Sequence, residues 1–571
     1  MKKTVLFYTS LILLIIGIIV ICHALISRES VKVNEEYAIA KQEWSATKAY
    51  VINQNTIIAN IDSRQLKSNV NGIFMNDNLI LMVPINQIKE NFDCAVNEYM
   101  DGHILIEKGN DSIMMFKDNE NICEINGIEK NLTTGIFVTD NRVYMPVDIL
   151  CNTFGYQYSF DLSLNQANIV SQDPYIRTIP YNYSYESVGR APRVSNQGNL
   201  GTCWAFASLT ALSTSLMPGE DITFSVDHMS MSNSFNLNQQ DGGDYAMSMA
   251  YLLAWQGPVL ESEDPYGDGK TTEGLMPSKH VQEIQIIEAK DYETIKKMIF
   301  KYGGVQSSFY ASVLNKKTGN TKNYNPSTNS YCYIGDEKPN HDIVIIGWDD
   351  NYPKENFNID VEGNGAFLCR NSWGENFGEN GDFYISYYDT NIGVHNIVYT
   401  RVEETDNYDN IYQTDLCGFV GQLGYGEESA YFANVYTTEN NEELKAVGFY
   451  ATGIDTEYSI YICENFENVT SLSKRSDPIM TGKLKNSGYY TIDLENVVFL
   501  PAGRKFAIII RVTTPNSDRP VAVEYAYDRQ TSTVTLEDGE GYVSLKGINW
   551  DNTESNNMCN VCLKAYTNTI N

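Results

Sequence analysis

The chain has 571 residues and a formal net charge of −31 at pH 7. That length predicts about three to four domains, and a charge so negative excludes a nucleic-acid partner, which needs basic patches. Eleven cysteines are too few for a disulfide scaffold of this size, and an odd number leaves at least one unpaired.

The first segment, 1–30, reads Met1-Lys2-Lys3, an almost uncharged apolar run from Val5 to Ile26, and then Arg28. This predicts a signal anchor or signal peptide. The run is long enough to span a bilayer and exceeds the ~7–15 residues of a cleavable core. No small-x-small cleavage site follows, and Lys2 and Lys3 favour a cytoplasmic N-terminus with the remainder outside. The acidic balance agrees with a soluble exported ectodomain, at the extracellular side of the membrane or secreted.

Residues 31–48 form a polar, helix-prone connector within a segment taken as 31–172. From Val51 to Val170 short alternating strands carry two Pro-headed strand-to-helix units. Leu79–Val83 runs through Pro84 into Ile88-Lys89-Glu90-Asn91-Phe92, and Arg142–Met145 runs through Pro146 into Ile149–Gly155.

In the next segment, 173–402, Cys203 follows Gln197-Gly198-Asn199-Leu200-Gly201-Thr202 and opens an apolar helical stretch, Trp204 to Leu212. His341 stands before the strand-like Asp342–Ile346, and Asn371 stands in Arg370-Asn371-Ser372-Trp373-Gly374. These residue types suit one chemistry. The thiolate is the nucleophile, and the positive end of a helix favours it. An imidazole serves as base and then as acid toward the leaving amine. Asn371 would hold that imidazole in one tautomer, while Gln197 offers an amide to the oxyanion beside the Cys203 backbone N–H. Trp373 would shield the Asn–His contact from water.

The last segment, 403–571, alternates with period two. Phe506, Ile508, Ile510 and Val512 face one way; Ala507, Ile509 and Arg511 face the other. Further strands at Leu444–Tyr450, Tyr458–Cys463, Tyr489–Leu494, Val521–Tyr525 and Val561–Tyr566 predict an antiparallel sandwich. Cys559-x-x-Cys562 has no second Cys/His pair near it and lies in a strand-like run, so it reads as core rather than metal site. No metal and no cofactor is expected.

Order, spacing and flanks of Gln197, Cys203, His341 and Asn371 resemble those of papain-family cysteine peptidases. Asp264-Pro265-Tyr266 and Phe367 to Tyr384 resemble further segments of that family. The resemblance implies an α+β fold with a helical lobe and a β-barrel-like lobe, peptide-bond hydrolysis and polypeptide substrates. Gln240-Asp241-Gly242-Gly243 resembles the family's Cys-x-Gly-Gly segment, which implies that Gly242 and Gly243 touch extended substrate. The family's usual cysteine pair is absent, its positions being Leu200 and Gln240. Asp342 replaces a small residue and, with Tyr245, would border the pocket for the side chain two before the scissile bond. Asp342 stays open between a pocket wall favouring a basic or polar group and a structural aspartate bonded to a backbone N–H. Residues 31–172 resemble the N-terminal domain of copper amine oxidases, a small α+β stalk. Residues 403–571 resemble a lectin-like domain, which implies a cell-surface or carbohydrate ligand, though neither Trp550, expected to be exposed, nor the tyrosines establish a sugar site. Two other readings compete: a non-catalytic surface adhesin on a protease scaffold, and a thiol acyltransferase. The first would be expected to lose Cys, His or Gln, and the second generally uses Asp as third member.

Overall fold

The computed structural model describes residues 57–570 except 63, 66–71, 77–79, 118, 133, 140–141, 162–165, 173–177, 313–321 and 537–539. The apolar run Val5–Ile26 and the connector after it lie outside the described residues. Among the described residues no helix is long and apolar enough to cross a membrane. The chain divides into two compact units, Met1–Val96 with Gly102–Thr178 and Asn97–Asp101 with Ile179–Asn571.

The first unit is built on the two Pro-headed elements. Strand Leu81–Pro84 passes directly into helix Ile85–Asn91, and strand Arg142–Pro146 into helix Val147–Phe154. Pro84 and Pro146 stand at the helix caps with φ −63° and −68°. The ring fixes φ there, and the missing N–H is harmless where a helix begins. The two strands pair with each other, Met145 opposite Val83. Ile88, Phe92, Leu150 and Phe154 enter one core with Ile104 and Ile106, the last two from strand His103–Lys108 of an antiparallel meander.

The second unit joins a helical lobe to a long sheet. Helix Cys203–Leu216 carries no charge and buries Trp204, Phe206, Leu209 and Leu212 together with Ala205, Ala207 and Ser208. A helix apolar on all sides is an interior helix. It packs on strand His341–Asp349, which runs between Val305–Phe309 and Ala366–Arg370. That strand is buried on both faces from Ile343 to Trp348, which explains its unbroken apolar sequence.

The sheet does not stop where the peptidase segment ends. Strand His280–Ile286 pairs with Asn396–Glu403 on one side and with Ser487–Leu500 on the other, Glu283 lying opposite Tyr490. A thirteen-stranded sheet therefore runs from the peptidase into the C-terminal domain. The composition change at residues 402 and 403 falls inside strand Asn396–Glu403. That strand is buried from Asn396 to Tyr399 and half-exposed from Thr400 to its end at Glu403.

The C-terminal domain is an antiparallel sandwich. A six-stranded sheet containing Thr456–Cys463, Lys505–Thr513 and Ser429–Thr437 faces strands Glu442–Ala451 and Leu563–Thr569. Phe506, Ile508, Ile510 and Val512 fill the core between the layers with Leu444 and Phe449. Ala507 and Ile509 lie on the opposite face with Leu472, as period-two alternation requires. Trp550 is not an exposed ring: it packs on this outer cluster, 6.4 Å from Tyr431. Cys559 and Cys562 are buried in the core, and every cysteine among the described residues is a free thiol.

Ending the chain at residue 402 would strip the Ser487–Tyr490 ladder from His280–Ile286 and leave an open, apolar edge. The truncated chain is expected to aggregate and to show no cooperative thermal transition in calorimetry. A sharp transition would show that the peptidase half of the sheet is self-sufficient.

Candidate active site

Cys203 is the first residue of its helix and is half-buried. Thr202 precedes it as cap but makes no side-chain cap bond. Its hydroxyl instead meets the Tyr266 hydroxyl at 2.7 Å, and Tyr266 Oη donates to the Gln197 carbonyl at 3.0 Å. Tyr266 thus ties the loop before the nucleophile from both ends. Burial first, and then the Asp342 carboxylate, push the Cys203 thiol up to about 11. The backbone N–H groups of Asp342, Trp204 and Cys203 act in the opposite direction. The thiol therefore lies against the backbone immediately after His341.

His341 is buried at the start of its strand, and its Nε2 stands 2.8 Å from Asn371 Oδ1. An amide oxygen only accepts, so Nε2 carries the hydrogen and the neutral ring keeps its lone pair at Nδ1. The Trp373 ring centroid lies 4.7 Å from the imidazole and the Phe309 ring meets it edge-on at 5.7 Å. Both rings keep water from the His–Asn contact. Asn371 follows strand Ala366–Arg370, where Arg370 forms a buried ion pair with Asp382, and the Asn371 N–H donates to the Gly381 carbonyl at 2.9 Å.

Gln197 is buried, and its Nε2 donates to the Leu200 carbonyl at 2.9 Å. Its Oε1 accepts from Ser372 Oγ at 2.7 Å, and its backbone N–H donates to the Ser372 carbonyl at 2.9 Å. The Ser372 N–H in turn donates to Asn371 Oδ1 at 2.8 Å. One serine thus bonds both the Gln197 amide and the Asn371 amide. Sequence reasoning quoted Ser372 and Tyr266 within motifs but assigned neither a role. Hydroxyl residues beside two functional amides were the available signal.

Gly242 has φ +84° and open space where a Cβ would stand. Gly243 is different: a Cβ there would lie 2.6 Å from the Trp204 ring and 2.8 Å from Met247 Sδ. Gly201 sits against the same segment, its notional Cβ 3.0 Å from Gly242 N, and its N–H donates to the Gln239 carbonyl at 3.2 Å. Backbone contact joins the two loops where Leu200 and Gln240 offer no disulfide.

Asp342 turns away from the direction of His341. Its Oδ1 accepts from Ser308 Oγ at 2.6 Å and its Oδ2 from Gln306 Nε2 at 3.1 Å. Both donors are side chains on the neighbouring strand Val305–Phe309. Burial raises its carboxyl to about 6, and Asp244 adds to the rise. Tyr245 is half-buried beside it, with its ring 5.6 Å from that of His395. Burial lowers His395 while Asp244 raises it. Among the described residues no group of three or more His, Cys, Asp or Glu side chains could hold a metal ion.

Comparison with known proteins agrees with this geometry. Residues 180–402 match the papain family cysteine protease model, residues 411–567 the lectin like domain, and residues 60–169 the copper amine oxidase N-terminal domain. Ananain of Ananas comosus is 26% identical over 308 residues, 50% of this chain and 79% of that protein. A viral cathepsin of Epiphyas postvittana nucleopolyhedrovirus is 23% identical over 232 residues, 39% of this chain and 65% of that protein. The solved structure of the clostridial cysteine protease Cwp84 after propeptide cleavage superposes with TM-score 0.61 at 26% identity, covering 68% of this chain and 99% of that one. The protease and lectin-like domains of Cwp84, a surface layer associated protein of Clostridium difficile, give TM-score 0.59 at 26% identity, covering 69% and 90%. The chain is a papain-type cysteine peptidase with a stalk domain before it and a lectin-like domain behind it.

Removing the Ser372 hydroxyl frees the Gln197 amide to rotate. Loss of one neutral hydrogen bond, about 1 kcal/mol, predicts a kcat lowered about fivefold in Ser372→Ala, with KM for a short peptide little changed. Steady-state kinetics check this, and an unchanged kcat would show that burial alone orients Gln197.

Proposed function

We propose that the chain is an exported endopeptidase in which Cys203 attacks the scissile carbonyl, His341 moves the proton and Asn371 orients His341. The observation that carries this reading is the Nε2–Oδ1 bond of 2.8 Å, with the thiol against the backbone of Asp342. A thiol held near 11 supplies little standing thiolate at neutral pH beside a neutral imidazole. Transfer of its proton to His341 Nδ1 creates an ion pair, and the helix start favours the anionic half. The oxyanion is received by Gln197 Nε2 and the Cys203 backbone N–H. His341 then protonates the leaving amine, and a water activated by the same imidazole hydrolyses the thioester.

Substrate backbone runs past Gly242, whose open side admits it, and Gly243. An adjacent side chain enters the space beside Asp342 and Tyr245. Among the described residues neither Asp342 nor Asp244 has an ion-pair partner, so a substrate ammonium or guanidinium is the missing counter-ion. An adhesin on an inert scaffold is disfavoured because Gln197, Cys203, His341 and Asn371 are all retained. An acyltransferase is disfavoured by the asparagine and the glutamine.

The lysine-headed apolar run Val5–Ile26 and the charge of −31 support a location outside the cell, anchored or released. The likeness to Cwp84, itself surface layer associated, supports the same location. A carbohydrate ligand for residues 411–567 rests on the match to the lectin like domain.

Cys203→Ala is expected to abolish peptide hydrolysis without loss of fold, and labelling by a peptidyl epoxide should disappear with it. Turnover at the wild-type rate would refute the mechanism. Gln197→Ala is expected to lower kcat by ~10²–10³ with a smaller change in KM.

Charge in the Asp342 pocket gives a second test. The Asp342 carboxyl is raised to about 6, so its negative charge is present above that pH and is lost as pH falls through it. His395 gains positive charge in the acid range and acts in the same direction. The ratio of kcat/KM for an Arg substrate to that for a Leu substrate is therefore expected to fall at least about tenfold between pH 7.5 and 5. In Asp342→Asn the ratio should be low and much less dependent on pH. An unchanged ratio would assign Asp342 to structure.

A further inference from the structure

On the proposed reading of the glycine pair, the segment between helix Val226–Met231 and that pair is one wall of the substrate site. Inside, it is bound to the peptidase: Gln239 Nε2 donates to Asp227 Oδ1 at 2.7 Å and to Ser230 Oγ at 2.8 Å. Its outer side is held by the C-terminal domain. The Asn236 N–H donates to the Gln530 carbonyl at 2.8 Å, and Asn236 Nδ2 donates to Ser532 Oγ at 3.0 Å. The Ser234 carbonyl accepts from Thr533 Oγ1 and, at 3.6 Å, from Cys417 Sγ. Arg529 and Asp241 form an ion pair at 3.6 Å, which is exposed and worth little alone.

The clamping loop is itself braced. Thr531 Oγ1 accepts from the Tyr527 N–H at 2.8 Å, Asp528 Oδ1 from the Gln530 N–H at 2.8 Å, and Ser532 Oγ meets the Arg529 carbonyl at 2.7 Å. Cys417, which also touches Ser234, is anchored by its N–H to Glu524 Oε2 at 2.7 Å, just before the loop. On the cleft side the wall ends against Gly201, two residues before Cys203, through the Gln239 carbonyl and the close Gly201–Gly242 contact. No disulfide joins these segments among the described residues, so the wall is placed by hydrogen bonds from both sides.

We propose that the loop 527–534 of the lectin-like domain is a positioning element of the peptidase, setting the distance between the Gly242–Gly243 wall and Cys203. The proposal rests on the reading that this glycine pair receives substrate backbone. It makes the C-terminal domain part of how tightly substrate is held, while the thiol, imidazole and oxyanion donors have holds of their own in Tyr266, Asn371 and Ser372.

The test uses the full chain with Asn236→Ala combined with Thr533→Val. KM for a peptide filling several subsites is expected to rise about three- to tenfold, with kcat changed less than about twofold. Labelling of Cys203 by a peptidyl epoxide should slow to match, while alkylation by iodoacetamide, which does not touch the wall, keeps its rate. Thr533→Ser, which restores the hydroxyl, should keep the wild-type KM. If the double variant fails to fold, Asn236→Ala alone, which removes only the bond from Asn236 Nδ2 to Ser532 Oγ, carries the same KM test. An unchanged KM in a folded variant would overturn the proposal, as would an equal loss of kcat and of iodoacetamide reactivity. Hydrolysis that no longer needed Cys203 would refute the catalytic reading instead, so the two failures are separable.

Discussion

The site depends on where one proton resides. In the proposed mechanism Cys203, its thiol pushed up by burial to about 11, becomes a nucleophile only as His341 accepts its proton, so the imidazole must present Nδ1. The bond from Nε2 to Asn371 Oδ1 enforces that tautomer, and its surroundings protect it. Trp373 and Phe309 pack on the ring, and the Ser372 N–H reinforces the acceptor. A neutral amide oxygen orients the ring without adding negative charge beside a developing thiolate, which an aspartate would do.

A second constraint is the shared sheet. In it His280–Ile286 has the C-terminal domain's Ser487–Tyr490 for a neighbour. Pairing saturates an edge that would otherwise invite aggregation and fuses two cores through backbone hydrogen bonds. Rigid attachment of this kind is what lets a loop from one domain brace a wall in the other. A flexible linker would leave the Asn236 and Ser234 contacts to form at random.

The catalytic candidates were legible because nucleophilic chemistry confines residue type. A Gln, a Cys before an apolar helix, a His before a buried strand and an Asn before Ser-Trp-Gly leave few alternatives, and the structure joins His341 to Asn371 and Gln197 to the adjacent Ser372, with Cys203 at its helix start. Period-two alternation likewise separated Ile508 from Ile509, and the sandwich puts them in different clusters. What sequence could not express was pairing at long range. Nothing near Asn236 announces Gln530 and Ser532, and nothing near Glu283 announces Tyr490, because such contacts are set by topology rather than local pattern. Trp550 shows the reverse failure: an aromatic in an acidic loop looks exposed, yet neighbouring strands supply an outer apolar cluster that covers it.

Asp342 remains the residue least at ease with the chemistry. Its carboxylate raises the Cys203 thiol, which opposes formation of the nucleophile. Two side-chain hydrogen bonds hold it in place but leave its charge uncompensated. A half-buried carboxylate without a cation carries a desolvation cost that a packed apolar residue would avoid. That cost is recovered if the cation arrives with the substrate. An ammonium or guanidinium in the pocket would neutralise Asp342, remove its unfavourable effect on the thiolate and leave the N–H groups at the helix start to favour the anion. Binding of the right side chain and activation of the nucleophile would then be one event, because the same carboxylate faces both.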